Sequence, residues 1–218
     1  LDAWNDLDAT DKVKMVSGGA VSTAIAKSSI MEDTPGLTNA MNARIAVVPA
    51  STLLSRGDLA MGARSEADVH AQVAVDVFGA VGVAPYGESI ARFKGDNHID
   101  IGAATLSSSG DLRLSAGSSS NDALNRLDVV ARTDVFNNTA IPINRNPVAD
   151  ALIESHSQLT IRPGARLGAA GDAFLYADEG DVSALGVGVG KDIYREALGA
   201  VASAISTALG GEEISFET

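Results

Sequence analysis

The sequence contains no cysteine, few aromatic residues and far fewer basic than acidic side chains. Without cysteine the chain cannot form disulfides, thiolate metal sites or a cysteine nucleophile. A single tryptophan, Trp4, leaves little material for the aromatic platforms that line carbohydrate-processing clefts. The formal charge of −12 disfavours binding to the phosphates of nucleic acids and to anionic membrane surfaces.

Long hydrophobic runs are also missing, although 45% of the residues are hydrophobic. Every apolar stretch is shorter than the roughly 20 residues that a membrane-spanning helix needs, so we predict no membrane span. A chain of 218 residues can bury a substantial core in one large domain or two small ones. The sequence begins at Leu1 and shows no signal peptide, which is typical of a processed chain or of a piece of a longer one.

A block of sequence recurs three times, and such self-similarity is the strongest signal in the chain. Each copy has two apolar residues two positions apart, then a leucine, a Gly-Asp pair and a further leucine or methionine. The copies consist of Ile45, Val47, Leu53, Gly57, Asp58 and Met61; of Ile99, Ile101, Leu106, Gly110, Asp111 and Leu114; and of Leu159, Ile161, Leu167, Gly171, Asp172 and Leu175. Successive glycines of the pair lie 53 and 61 residues apart.

Each block predicts a strand, a turn and a second strand. The alternating apolar pair indicates a short strand with one buried face. Glycine in the Gly-Asp pair favours a turn with positive φ, and the aspartate can bond to nearby backbone. The predicted structural turns therefore contain Gly57, Asp58, Gly110, Asp111, Gly171 and Asp172.

Longer alternating segments lie between the blocks. Apolar residues at every second position predict strands at Val69–Val77 and Leu127–Val135, and a weaker strand in which Val21, Thr23 and Ile25 face inwards. The glycine-rich segment Leu185–Gly190 takes the matching place after the third block. Because strand-and-turn repeats bury their faces by stacking, we expect a mainly β fold, a parallel β-helix or β-solenoid with long loops. The alternative is a β-sandwich.

The two ends of the chain differ from the blocks. Trp4–Met15 could form a short helix, and apolar residues at helical spacing predict an amphipathic helix over Lys191–Leu209, followed by a terminal strand at Glu213–Glu217. The expected division is an N-terminal cap with the first strands (1–44), the three-block region (45–185), and the C-terminal helix and strand (186–218). The terminal elements could cap the fold or mediate assembly through Ile193, Leu198, Val201, Ile205, Leu209, Ile214 and Phe216.

The strings Ala104–Ala116 and Leu159–Asp172 resemble repeats of giant bacterial secreted exoproteins, the filamentous-haemagglutinin-like and leukotoxin-like adhesins. The matched positions are those of the blocks, and the likeness extends over about 45–181. The resemblance implies a segment exported across a Gram-negative envelope, with a role in adhesion or surface structure. It implies no catalytic residues.

Three motifs could carry specific chemistry. Arg56-Gly57-Asp58 matches the integrin-binding tripeptide, but its Gly-Asp is the turn of the repeat. Gly186, Gly188 and Gly190 lack the partners that a phosphate loop or dinucleotide fingerprint requires, which favours close backbone packing. The only histidines, His70, His98 and His156, show no metal-ligand spacing along the sequence.

Acidic residues offer the only cofactor prediction, which is calcium. Asp172, Asp178, Glu179 and Asp181 form one cluster, Asp96 and Asp100 a smaller one, and neither follows the EF-hand spacing, so a solvated acidic surface is the competing interpretation. For enzymatic cleavage of a polysaccharide, only the scattered Asp76, Arg132 and Asp134 are candidates. We therefore predict no catalytic residues and no enzyme.

The sequence as a whole predicts an acidic, non-enzymatic structural or adhesive protein, secreted or held at the bacterial cell surface. Its expected partners are flanking repeats of the same polypeptide, other copies of itself, or a host or cell-surface receptor. A self-assembling subunit of an extracellular filament or sheath is the first alternative. A polysaccharide-degrading β-helix enzyme is the second.

Overall fold

The structure is a computed structural model that describes residues 1–30 and 41–192 with their side chains, and the backbone of 201–203 and 205–216. Its described part contains β-strands and no helix, hence no helix with the length and apolarity that crossing a bilayer requires. The strands are β1 (Asp2–Ser22), β2 (Ile25–Ile30), β3 (Met41–Val47), β4 (Thr52–Ser55), β5 (Leu59–Val83), β6 (Tyr86–Ile101), β7 (Thr105–Ser108), β8 (Leu112–Ala116), β9 (Arg126–Ile143), β10 (Val148–Ile161), β11 (Arg166–Ala169), β12 (Ala173–Ala177), β13 (Asp181–Asp192), β14 (Val201–Ser203) and β15 (Ile205–Phe216).

These strands form three sheets. Sheet A contains β1, β5, β8, β9, β12, β13 and β14; sheet B contains β2, β3, β6, β10 and β15; sheet C contains β4, β7 and β11. All pairs of neighbouring strands are parallel except β13 with β14. Following the chain, strands enter sheet A, then B, then C, and the sequence of sheets repeats. The prediction of a mainly β chain with parallel strands is confirmed.

The strand register aligns the three blocks residue by residue. Ile45 pairs with Ile99, which pairs with Leu159, and Leu53 pairs with Leu106, which pairs with Leu167. At the end of the block, Met61, Leu114 and Leu175 form the matching column in sheet A. The sequence repeat is therefore the layer-to-layer register of the sheets.

The core between the sheets consists of three apolar clusters separated by buried polar side chains. The first cluster holds the block residues, including Ile99, Leu106 and Leu114, which are fully buried. Ser65, Asn97 and Ser157 follow it and bond to one another, with Ser65 Oγ 2.9 Å from Asn97 Oδ1 and Asn97 Nδ2 3.3 Å from Ser157 Oγ. Their mutual hydrogen bonds satisfy polar groups that would be costly to bury alone.

Beyond this polar belt, the second cluster is rich in alanine and is filled by Phe93. Thr133 then separates the second cluster from the third, and its hydroxyl donates to the Val148 carbonyl (2.6 Å) and lies 2.8 Å from Ser89 Oγ, which can donate to it. The third cluster is built on Val73, Val75 and Val77. The buried face of β5 thus runs through all three clusters, as its alternation predicts.

Both helix predictions are wrong where the structure describes the chain. Trp4–Met15 lies within β1, whose alternate side chains are half-buried and which pairs with β5 along its length. Lys191 and Asp192 end β13, and 201–203 and 205–209 belong to β14 and β15. The intervening residues 193–200, with Ile193 and Leu198 of the expected assembly set, and residue 204 lie outside the described residues. In sheet B, β15 pairs with β10 through Gly210 and Gly211, because pairing along an existing strand overrides a local stop signal.

The predicted inward face of the weak N-terminal strand is also wrong. Val21 and Ile25 are exposed, whereas Ser22, Ala24 and Ala26 are buried. The strand is interrupted after Ser22, and the small side chains are the ones that fit against the third cluster, which includes Ala24 and Ala26. Small residues at a tightly packed position carry little hydropathy signal, so the larger exposed residues dominated the pattern.

Candidate functional site

The Gly-Asp turns stack into a column at the junction of sheets C and A. The amide of Asp111 donates to Asp58 Oδ1 and that of Asp172 donates to Asp111 Oδ1, both at 2.9 Å. Beside them, the Gly110 amide donates to the Gly57 carbonyl at 3.1 Å and the Gly171 amide to the Gly110 carbonyl at 3.0 Å. Each aspartate therefore binds the backbone of the next layer rather than its own turn alone. We call this column the aspartate ladder.

Two of the three ladder glycines, Gly110 and Gly171, are required by space and not by positive φ. In the described chain, left-handed glycines occur at Gly79, Gly117, Gly164 and Gly180, so the predicted positive-φ conformation of the repeat turns is wrong. A Cβ atom at Gly110 would overlap the Asp58 carboxylate, and one at Gly171 would overlap that of Asp111. Gly57 has no atom of a neighbouring layer within 4 Å of such a Cβ.

The tripeptide Arg56-Gly57-Asp58 is exposed in the turn between β4 and β5. One oxygen of Asp58 already accepts the Asp111 amide, as part of the ladder. The exposure that an integrin ligand requires is present, and the receptor itself stays a prediction.

An open groove of about 610 Å³ lies on the outer face of sheet A. Its lining comes from β5, β9 and β13, and consists of Asp76, Arg132, Asp134, Val135, Phe136, Val189 and Lys191. Alternation along these parallel strands places the polar residues on the outer face, while residues such as Val75 face the core. The groove combines an aromatic ring and aliphatic side chains with both signs of charge.

A second depression of about 240 Å³ adjoins this groove and shares Arg132 and Asp134 with it. Lys12 and Lys14 of β1 line its far side. Arg132 Nε lies 2.8 Å from Asp134 Oδ2, and this hydrogen bond raises the pKa of the arginine. Together the two depressions form the outer groove, a strip across four strands that gathers three lysines of an otherwise acidic chain.

The outer groove brings together Asp76, Arg132 and Asp134, which looked scattered in the sequence. Arg132 and Asp134 are both on β9, whereas Asp76 belongs to β5, and the Asp76–Phe136 register places them on neighbouring strands. Paired residues of β5 and β9 are 60 positions apart in the sequence, and a repeat of that length would have predicted that the groove residues lie together. The sequence blocks showed only offsets of 53 and 61 residues, at the other end of the sheets.

The acidic cluster predicted to bind calcium does not converge in the described structure. Asp178 accepts the Gly180 amide at 2.8 Å, and the Asp172 carboxylate is at the exposed end of the ladder. Asp172, Asp178, Glu179 and Asp181 are not among the groups of three or more potential ligands that come close together. Calcium binding by them stays a prediction without geometric support.

Glu179 of that cluster is buried, although it lies in the link between β12 and β13. Its Oε2 accepts the Ser155 hydroxyl at 2.5 Å, while its buried Oε1 has no hydrogen-bond partner. Burial raises the pKa of Glu179, and the bonds from Ser155 and Ser157 counteract the rise only in part. This is a group suited to holding a proton rather than a metal ion.

Of the smaller acidic pair, Asp100 is bound by arginine. Asp100 accepts two bonds from Arg162, at 2.7 and 3.1 Å, and the Arg44 guanidinium lies 3.5 Å away. The hydrogen bond from Arg162 is the main cause of the lowered pKa of Asp100. The pair therefore ties the three layers β3, β6 and β10 together on the outer face of sheet B.

Comparison with known proteins adds no identification. The chain matches no family model, no curated protein and no solved structure at a significant level.

Proposed function

We propose that the chain is a non-enzymatic β-solenoid segment that does structural and adhesive work outside a bacterial cell. The observation that carries this proposal is the fixed cycle of sheets A, B and C with parallel, in-register layers. β-Sandwiches, the alternative, pair their strands mostly antiparallel. A stacked core with charged outer faces suits a spacer that presents surfaces over a distance.

The shape of an isolated chain follows from this architecture. β5 has 25 residues, which at about 3.3 Å per residue gives a contour of about 80 Å. Sheet A has four main layers, β1, β5, β9 and β13, which at about 4.8 Å per layer rise only about 15–20 Å. Facing sheets pack about 10 Å apart, so the third dimension is small as well. One chain is thus an elongated particle, and further layers of the same kind would extend it along the stacking direction.

Small-angle X-ray scattering on the purified chain tests the architecture. We expect the scattering of an elongated particle, much longer along the strands than along the stacking direction or across the two facing sheets. A compact sphere would contradict the β-solenoid.

The adhesive part of the proposal rests on the outer groove. Its width, its mixture of Phe136, Arg132 and Lys191, and its exposure suit a polar or acidic ligand on a cell surface, in keeping with the adhesin-like sequence blocks. The test is binding of the labelled chain to cultured host-cell layers. We expect Arg132→Ser to weaken binding, while Arg92→Ser, which breaks a comparable pair with Asp150 on sheet B, leaves it unchanged. Equal binding by both variants would contradict a role of the groove.

A self-assembling subunit is the second candidate, favoured by the polarity of the aspartate ladder. Among the described residues, the Asp58 amide at the lower end of the ladder has no acceptor in another layer, and the Asp172 carboxylate at the upper end accepts from no further layer. β4 and β11 are the two edge strands of sheet C, and their leucines, Leu53 and Leu167, are only partly buried. A donor at one end and an acceptor at the other suit head-to-tail stacking of copies.

A proline at the free edge of β4 tests this candidate. The Ser51 and Ser55 carbonyls accept from β7, so strand alternation directs the Leu54 amide to the open side. Leu54→Pro should abolish concentration-dependent growth in sedimentation velocity without unfolding the chain, whereas Leu54→Thr should not. A wild-type chain that stays monomeric at all concentrations would contradict self-assembly.

A further inference from the structure

Three aspartates that do not line the outer groove form a column on the outer face of sheet A. Asp8, Asp68 and Asp128 belong to β1, β5 and β9 and are Cα partners in register. Parallel strands lie about 4.8 Å apart, so the column places like charges opposite one another, which destabilises a sheet. Among the described residues, no lysine or arginine forms an ion pair with Asp68 or Asp128.

An imidazole completes the group. His70 is two residues beyond Asp68 on the same face of β5, and its Nε2 lies 2.5 Å from Asp68 Oδ1. One ligand atom each of Asp68, His70 and Asp128 falls within 4.8 Å of the other two. The His70 side chain is 31% exposed and that of Asp68 is 52% exposed, so an ion can reach them from solvent.

The neighbours of His70 and Asp128 on the strands beside the group are uncharged. The register neighbours of His70 are Thr10 and Val130, and Asp128 is flanked on its other side by Ser183. Arg126, the nearest basic residue along β9, has Glu66 as its register partner. The group therefore holds more negative than positive charge, with a nitrogen donor at its centre.

The geometry points to a binding site for a divalent transition-metal ion, and we propose that Asp68, His70 and Asp128 are its ligands. A nitrogen donor with carboxylate oxygens suits zinc and its first-row neighbours, whereas calcium and magnesium prefer oxygen alone. Zinc bonds to such ligands are about 2.0–2.2 Å long, so small rotations of the exposed carboxylates bring the three atoms into range. Water, or Asp8 from the next layer, supplies a fourth ligand. The ion would link β5 to β9 and offset the repulsion within the column.

Calorimetric titration of the tag-free, chelator-treated chain with Zn²⁺ tests the site. We expect one ion to bind per chain and its binding to raise the Tm. His70→Gln and Asp128→Asn should each lower the affinity by about tenfold or more, since loss of a ligand costs at least as much as loss of a residue that supports one. His156→Gln, which changes a histidine on the outer face of sheet B, is the matched control and should bind as the wild type does.

The metal-free proteins distinguish lost ligation from lost folding. Without zinc, Asp128→Asn should have a Tm equal to or above that of the wild type, because it removes one charge from the column. Zinc binding that is absent, or that His70→Gln and Asp128→Asn leave unchanged, would overturn the proposal. Calcium that competes with zinc at equal concentration would also overturn it, since an imidazole ligand disfavours calcium.

Discussion

The two ends of sheets A and B are built differently. At the repeat end, where sheet C joins them, the Gly-Asp turns of successive layers have the same length and bond to one another through Asp58 and Asp111. At the far end, the links from sheet A to sheet B contain two residues after β5 but four after β9. Among the described residues, isolated bonds join these links to other layers, such as the Ala84 amide to the Ile143 carbonyl at 2.7 Å and the Asn144 side chain to the Asp192 carboxylate at 2.5 Å.

The difference shows what makes a repeat visible in sequence. A turn that bonds to the layers above and below must keep its shape, because a change in one layer breaks contacts in two. A link that faces solvent on most sides can vary in length at little cost. The repeat end should therefore be the less tolerant of substitution, and within it the central layer should be less tolerant than the edges.

The largest effect is expected for Leu106→Ala in the central layer of sheet C. Leu106 is fully buried between Leu53 and Leu167, so truncation leaves a cavity that costs about 2–5 kcal/mol. Leu53→Ala, in the same column but at the partly exposed edge, should cost about half as much. Urea unfolding of the two variants measures both values. Equal losses would mean that the edge layer is as well packed as the centre.

Next in size is Gly110→Ala, compared with Gly57→Ala. The added methyl group at Gly110 displaces the Asp58 carboxylate from the Asp111 amide, and loss of that charge-assisted bond should cost about 1–3 kcal/mol. The same methyl group at Gly57 meets nothing and should cost less than about 0.5 kcal/mol. Thermal unfolding compares the pair. If Gly57→Ala is the more damaging variant, the ladder does not explain the conserved shape of the turns.

These two positions also show how far the sequence could predict the fold. The spacing of Gly57, Gly110 and Gly171 contained the register of sheet C, because each turn contacts its equivalent in the next layer. The predicted positive-φ conformation of these glycines is wrong. The reason for glycine is a clash with a carboxylate from another layer, and the sequence around the turn does not show such a contact. The predicted strand at Val69–Val77 is confirmed, because the apolar side chains that make its alternation visible in the sequence are the ones that fill the core.

The remaining failures concern contacts between distant segments. The apolar spacing near the C-terminus fits a helix as well as a strand, and only pairing with β10 decides for the strand along 205–209. Asp68 and His70 stood two residues apart in the sequence, but Asp128 joins them only through the register of β5 with β9. The same register gathers the outer groove. Without it, neither the metal ligands nor the groove residues could be grouped from the sequence.

A smaller effect on stability is expected for Glu179→Gln. Glu179 lies between the repeat end and the far end. Burial raises the pKa of Glu179 above its ordinary value of 4.5, so the folded state favours the protonated carboxyl. That contribution to stability is complete below the unfolded-state pKa and is lost as the pH rises through the folded-state pKa. The variant should therefore be the more stable one at pH 7, with a Tm higher by about 2–4 °C.

The pH profile of Tm separates this effect from others. Between about pH 4.5 and 7 the wild type should lose more stability than Glu179→Gln does, because glutamine does not titrate. Asp2 and Asp100 have lowered pKa values, so their contributions are lost only on acidification below 3.8. Glu154→Gln is the control, since Glu154 lies outside on β10 and pairs with Lys94. Parallel profiles for wild type and Glu179→Gln would contradict the buried-carboxyl interpretation.

The smallest effect compares a strained alanine from each end. Ala50, in the link from β3 to β4, has φ of 63°, and Ala84, at the far end, has φ of 43°. Glycine adopts such angles without strain, so Ala84→Gly and Ala50→Gly should each raise stability by up to about 1 kcal/mol, after the entropy of the unfolded glycine is counted. Differential scanning calorimetry resolves a shift of this size.

Both alanine amides bond to a neighbouring layer, Ala50 to the Ala103 carbonyl at 2.8 Å and Ala84 to the Ile143 carbonyl at 2.7 Å. We therefore expect equal gains in stability from the two variants. A higher Tm for Ala84→Gly with a lower Tm for Ala50→Gly would show that Ala50 is needed for packing. The repeat end would then be intolerant of substitution in the whole link from β3 to β4 and not only in the ladder.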